Sequence, residues 1–196
     1  LTIGALTLDI INEVDGYPVE DDEVRASAHR ESQGGNATNT AVVLSQLGHR
    51  VSLASVVPSP DLPGGASILE GLDTHGIDVS PSLLINSGYP PTSFITVNRQ
   101  NGSRTIVHYR EAPELTAAHF YKAPLSDFQW VHFEARNVNE TARMMARVAK
   151  ERPDIEISLE LEKPRSDLQR LIPWASVIIA SRNYAKAMGY PDAIEV

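Results

Sequence analysis

Apolar and polar positions follow two rhythms along this chain, and each predicts a different layer of structure. Leu1-Thr2-Ile3-Gly4-Ala5-Leu6-Thr7-Leu8-Asp9 is an apolar run closed by a carboxylate, the pattern of a buried strand with a functional carboxyl end. Small and aliphatic residues recur at Ala41, Leu44 and Leu47, which predicts a helix over 37–47 with Asn36 at its N-cap and Gly48 as its stop. Arg50 to Val57 and Pro81 to Asn86 read as strands around a helix over 65–75 that Gly76 ends. Beyond Pro113 come strand 130–133, helix 140–150, strand 156–161, helix 166–171, strand 176–180 and helix 184–188, closed by Gly189. Strands and helices interleaved in this way predict an α/β fold, a parallel sheet with helices on both faces.

The second rhythm is more polar. Ile10 to Val14 and Glu23 to Glu31 look like exposed strands around the acidic turn Asp15-Gly16-Tyr17-Pro18-Val19-Glu20-Asp21-Asp22. Thr92 to Asn98 and Ser103 to Tyr109 are β-rich runs joined by Arg99-Gln100-Asn101-Gly102, and Asn-Gly supplies the positive-φ residues that a tight hairpin needs. These stretches do not fit the parallel sheet and predict a small second one, a lid. The expected division is a core of 1–9, 32–91 and 110–196 and a lid of 10–31 and 92–109.

Composition removes several classes of function. With 42% hydrophobic and 21% charged residues in 196, the chain has the balance of a globular protein. A formal net charge of −8 has the wrong sign for a surface that neutralises nucleic acid or an anionic membrane, so neither is expected as a partner. The absence of cysteine excludes disulfide scaffolds, thiolate metal sites and cysteine nucleophiles, and makes a cytoplasmic location the default expectation. Gly-x-x-x-x-Gly-Lys-Ser/Thr, Gly-x-Gly-x-x-Gly, Gly-x-Ser-x-Gly and His-Glu-x-x-His do not occur. His132, beside Trp130 and Phe133, reads as core, and Arg143, Met144, Met145, Arg147 and Val148 as a packing stripe mixed with a solvated face. Three Asn-x-Ser/Thr triplets start at Asn36, Asn101 and Asn139 and are discounted, since a glycan on Asn36 would fill the site proposed next.

Ligands of open parallel sheets gather at the carboxyl ends of the strands, which directs attention to Asp9 and to Ser32-Gln33-Gly34-Gly35-Asn36-Ala37-Thr38-Asn39-Thr40. Two glycines against a helix start let a ligand approach the backbone, free N–H groups donate to hydroxyl or anionic oxygens, and Asn36 and Asn39 share one side of the helix. Such a surface suits a polyol. On spacing alone the same residues also describe a capped helix with a Gly-Gly turn, and Asp9 a turn cap.

Five segments bear a resemblance. Leu8-Asp9-Ile10-Ile11, Gly34-Gly35-Asn36-Ala37-Thr38-Asn39, Asn101-Gly102-Ser103-Arg104-Thr105-Ile106-Val107, Phe133-Glu134-Ala135-Arg136-Asn137 and Leu159-Glu160-Leu161-Glu162-Lys163-Pro164-Arg165 resemble the ribokinase (PfkB) family of carbohydrate kinases, most of all its ketohexokinase branch. The resemblance runs through nearly the whole chain, as far as Ala180-Ser181-Arg182-Asn183. It implies a ribokinase-like, Rossmann-type core with a β-sheet lid that clasps the lid of a second subunit in a homodimer. It also implies phosphoryl transfer from ATP, with Mg2+, to a sugar hydroxyl, and for this branch to the 1-hydroxyl of fructose. The alternatives are another PfkB kinase acting on ribose or a nucleoside, or a non-catalytic sugar-binding dimer.

Carried over by motif, Asp9 accepts from vicinal sugar hydroxyls while the Gly35 backbone, Asn36 and Asn39 bind the others; a carboxylate takes two donors at once and an amide both gives and accepts. Arg104 reaches the sugar or the transferring phosphate, as a possible cofactor phosphate contact, and Asp21 enters the partner subunit's sugar site. Read alone, Arg104 is equally a solvated hairpin charge and Asp21 one charge of an acidic turn. The chain also departs from the pattern. Ser55 replaces a usual glycine and is followed by Val56-Val57-Pro58-Ser59-Pro60, and Ser181 and Tyr184 stand where many relatives carry the Asn and Glu of the metal–phosphate region, so no metal ligand is assigned. Nothing resembles the family's Gly-Ala-Gly-Asp motif, so no catalytic residue is assigned. The expectation is an N-terminal portion, incomplete at the C-terminus, because Leu1 opens in mid-strand and Ala193-Ile194-Glu195-Val196 ends inside a helical pattern, and inactive alone, because the base and the anion hole of that motif are missing.

Overall fold

The computed structural model describes residues 1–190; the helical pattern expected over 193–196 lies outside the described residues. The elements in order are β1 (Thr2–Ile3), β2 (Thr7–Val14), β3 (Ala28–Gly34), α1 (Asn36–Gln46), β4 (Leu53–Ala54), β5 (Val56–Pro58), α2 (Gly65–Thr74), β6 (Leu83–Ile85), β7 (Thr92–Asn98) and β8 (Arg104–Tyr109). There follow α3 (Ala117–Phe120), β9 (Trp130–Glu134), α4 (Val138–Glu151), β10 (Glu156–Leu161), two 3-10 turns (Leu168–Arg170 and Ile172–Trp174), β11 (Val177–Ala180) and α5 (Arg182–Ala187).

A central five-stranded sheet runs β11-β10-β9-β1-β4 with every pair parallel. Strand alternation gives it two unlike faces. Val131, Phe133, Ile157, Leu159 and Leu161 turn toward α4, where Met144, Met145 and Val148 are buried, and form the larger core with Phe120, Leu168 and Leu171. Trp130, His132, Glu134, Ser158 and Glu160 occupy the alternate positions, and Ser158 Oγ joins two of them, accepting from Trp130 Nε1 at 2.8 Å and meeting His132 Nδ1 at 2.9 Å. Strands of a parallel sheet are usually apolar on both faces, so this polar stripe is a departure that leads toward the strands' carboxyl ends. His132 is buried, as expected. Arg147 corrects the expectation of a solvated side of α4: it is buried, donates to the Phe120 carbonyl and to the Ala123 carbonyl at 2.8 Å, and lies 5.1 Å from the Phe120 ring centre.

The second sheet has the order β3-β2-β7-β8, with β2 antiparallel to β3, parallel to β7, and β7 antiparallel to β8. Its hairpin turn is closed by Gly102 N donating to Asn98 O at 2.8 Å, with Gly102 at φ 72°. Beneath it Leu6, Leu8, Ala37, Ala41, Leu53, Val57, Ile68 and Leu72 form a smaller core.

Several expectations are corrected here. The run 1–9 is not one strand: it breaks at Gly4, so that Thr2–Ile3 belong to the parallel sheet while Thr7, Leu8 and Asp9 pair with Gly34, Gln33 and Ser32 in the second one. The lid's strands therefore begin before Asp9 and end beyond Glu31, and Asp9 sits on the lid rather than at the end of a core strand. The strand expected over 50–57 likewise breaks at Ser55, whose Oγ donates to Gly4 O at 2.7 Å and whose N–H donates to Ser82 Oγ at 3.0 Å. The strand expected from Glu23 starts at Ala28, and the helix expected over 166–171 is replaced by the two 3-10 turns. Among the described residues no helix is long and apolar enough to cross a membrane.

Candidate functional site

The crossover from β1 to β2 and the loop into α1 meet at one point. A Cβ on Gly35 would stand 2.3 Å from the Ala5 carbonyl oxygen, and the residue takes φ 97°, so only glycine lets the helix start press against the crossover. Thr38, fully buried, donates from Oγ1 to that same carbonyl at 2.8 Å. α1 starts at Asn36 with Gly35 as its N-cap and no side-chain cap, which corrects the N-cap role expected of Asn36. The amide so released turns elsewhere: Nδ2 donates to Glu160 Oε1 at 3.1 Å. Asn36, Asn39, Thr40 and Glu160 line one open cavity, so the two asparagines do share a side of the helix.

Asp9 approaches from the lid. Its carboxylate accepts from Thr7 Oγ1 at 2.8 Å and lies against Gly34, immediately before Gly35 and Asn36. Strand register places Asp9 in one row with Ser32, Ser93 and His108, and Ser93 Oγ meets His108 Nδ1 at 3.3 Å. Burial, and then the positive charges of Arg136, Arg110 and Lys163, hold His108 below the ordinary histidine value, while Asp9 pulls the other way. His108 is therefore neutral at pH 7 and offers one donor and one acceptor.

Arg104 and Asp21 are not brought to this point within the chain. Arg104 pairs with Val97 at the far end of β8, four residues from His108, or about 13 Å of strand, and is exposed. Asp21 sits in the exposed turn between β2 and β3 at φ 65°.

A chain of ion pairs joins the end of β8 to the end of β9. Glu114 Oε1 accepts from Arg110 Nη1 at 2.7 Å and from Arg136 Nε at 3.0 Å, and Arg136 Nη1 reaches Glu134 Oε1 at 3.2 Å. The other Glu134 oxygen accepts from Ala5 N at 2.7 Å, inside the crossover. Burial works against the Glu114 charge, but the two arginines win and hold its pKa below the usual glutamate value. Glu160 lies beside Glu134 in the parallel register, and there burial first, then the Glu134 charge, push its pKa up against the opposing pull of Asn36. The sequence assigns no site role to His108, nor to Glu134, Arg136 and Glu160, although the last three stand in segments that carry the family resemblance. The available signal was alternation: Glu160 stands between buried Leu159 and Leu161 in the interior of β10, and a carboxylate at such a position needs a polar reason.

The cluster can do two things chemically. It offers a row of acceptors and amides matched to hydroxyl groups, and it fixes the lid strands to the core next to that row. Among the described residues no group of three or more His, Asp or Glu is placed to hold a metal ion, and Mg2+ is assigned to no residue of this chain.

The pfkB family carbohydrate kinase profile matches residues 1–189. Mouse ketohexokinase is 36% identical over 204 residues, which cover 100% of this chain and 67% of that protein. A nucleoside kinase of Methanothermobacter thermautotrophicus is 30% identical over 112 residues, 57% of this chain and 36% of that protein. Among solved structures, the ribokinase of Giardia lamblia superposes with a TM-score of 0.79 at 15% identity, over 98% of this chain and 60% of its own. The chain thus spans about three fifths to two thirds of the length of these full-chain matches. It belongs to the pfkB family of carbohydrate kinases and has the ribokinase-like fold, with a parallel central sheet and an additional small one.

Proposed function

We propose that the protein carrying this chain is an ATP-dependent kinase that phosphorylates the 1-hydroxyl of fructose, and that this chain supplies its sugar cradle and lid. The observation that carries the reading is the Gly35 helix start, where Asn36 and Asn39 open on one cavity while Asp9 lies against the preceding Gly34. Asp9 would accept from two adjacent hydroxyls, the side-chain amides of α1 would accept from or donate to the rest, and its free N–H groups would donate. Similarity to mouse ketohexokinase over the whole chain supports a ketose over an aldose. Phosphoryl transfer also needs a base for the attacking hydroxyl and donors for the transferred group, and no residue of this chain is assigned to either role. Residues 1–196 alone are therefore proposed to be inactive.

A homodimer through the lid belongs to the same proposal, with Asp21 reaching the partner's sugar and Arg104 turned toward the sugar or phosphate. It is supported by exposed Phe94 and Val107, which pair across β7 and β8 on one face of the sheet, apolar side chains that a second lid would cover. The likeness to a nucleoside kinase favours one second reading, a nucleoside as acceptor. Product analysis with the full-length protein, MgATP and a panel of fructose, ribose, glucose and adenosine tests this. Fructose 1-phosphate as the main product is expected; a phosphorylated nucleoside, or no product with any acceptor, overturns the proposal.

A further inference from the structure

The Asn36–Glu160 contact has a geometric consequence. A side-chain amide facing a ligand can present either its oxygen or its NH2, and in a polyol site the two faces select opposite partners. Asn36 Nδ2 donates to Glu160 Oε1 at 3.1 Å, which fixes the amide's rotation and leaves Oδ1 and one N–H for a ligand. Glu160 is held in turn by its strand: Ala135 N donates to the Glu160 carbonyl at 2.9 Å and the residue pairs with Glu134 in β9. Its second oxygen, Oε2, is buried without a hydrogen-bond partner among the described residues. A carboxylate kept in such a place at the cost of desolvation, with one oxygen spent on an amide that opens on the cavity, does little for the fold itself.

We propose that Glu160 is a positioning residue: it orients the Asn36 amide so that Oδ1 accepts a sugar hydroxyl, and thereby sets the acceptor pattern that the site reads. The inference rests on the sugar-kinase reading and deepens it. Glu160 acts through the Asn36 amide rather than on the transferring group or the nucleotide, so its removal should appear in sugar binding alone. The neighbouring groups that bear on it are Glu134 and Glu162, both acidic, and the Asn36 amide.

Two variants of the full-length protein test this. Glu160→Leu removes the acceptor and keeps the volume; Glu160→Gln keeps an acceptor. Glu160→Leu is expected to raise KM for the sugar at least tenfold, to change kcat and the KM for ATP less than threefold, and to melt at or above the wild-type temperature. Glu160→Gln is expected to restore the sugar KM to within threefold of wild type. Combining Glu160→Leu with Asn36→Ala should be no worse than Asn36→Ala alone. Losses that multiply, or a Glu160→Leu protein with the wild-type sugar KM, overturn the proposal. A readout without ligand separates it from the functional reading: the Asn36 side-chain amide protons, assigned by their loss in Asn36→Ala, should move upfield in Glu160→Leu. An unmoved signal overturns the inference whatever the substrate, whereas a shifted signal in a protein that binds no sugar overturns the substrate and leaves the contact standing.

Discussion

A Cβ placed on Gly34 would stand 2.2 Å from Oδ2 of Asp9 and 2.4 Å from its Cγ. The two residues lie on adjacent antiparallel strands two positions out of register, since Thr7 pairs with Gly34 and Asp9 with Ser32. Asp9 therefore lies across the neighbouring strand at Gly34 only because Gly34 has no side chain.

Gly34→Ala should displace the Asp9 carboxylate and act as an Asp9 variant without touching it. Calorimetry on the full-length protein is expected to show sugar affinity reduced by roughly tenfold or more, in line with loss of a charged hydrogen bond worth about 1.5–3 kcal/mol. Gly34 has no positive φ, so the fold should melt close to the wild-type temperature.

Gly4→Ala should behave in the opposite way, as a stability variant. Its Cβ would come within 2.6 Å of Glu134 Cβ and 2.8 Å of Ala37 Cβ, where the crossover, β9 and α1 converge. Overpacking of this kind costs about 1–3 kcal/mol. Chemical denaturation should show that loss, and the Glu134 contact to Ala5 N should be the first to weaken.

Glu114 gives a pH dependence with a definite sign. Its folded pKa lies below the ordinary glutamate value because Arg110 and Arg136 outweigh its burial. The stability it contributes is thus present above the unfolded pKa and is lost as pH falls through the folded one. Glu114→Gln should therefore destabilise the protein at pH 7, with the gap to wild type closing as pH drops below the ordinary glutamate range. A gap that stays constant from pH 7 to pH 3 would remove the ion pairs from the account.

Much of the architecture was legible in the sequence because long periodic segments announce themselves. The strand over 156–161 and the hairpin around Asn101-Gly102 were readable from alternation and turn chemistry. What escaped was set by tertiary contact. Nothing local says that Leu1 to Asp9 breaks at Gly4, because the break exists to pass the chain from one sheet to the other across Glu134. Asparagine commonly caps helices, and the local sequence therefore makes Asn36 a cap; in the fold Gly35 makes the start, and the carboxylate that takes the Asn36 amide lies 124 residues away. His108 and Arg136 could not be placed beside the Asp9 row before the strand order was known.

The account depends on Asp9, Asn36 and Asn39 forming one surface for hydroxyl groups. The most direct measurement is titration calorimetry of fructose into the full-length protein and its Asp9→Ala, Asn36→Ala and Asn39→Ala variants. The account predicts wild-type binding with affinity at least tenfold weaker in each variant while nucleotide binding holds. Fructose bound equally by wild type and all three variants would contradict it.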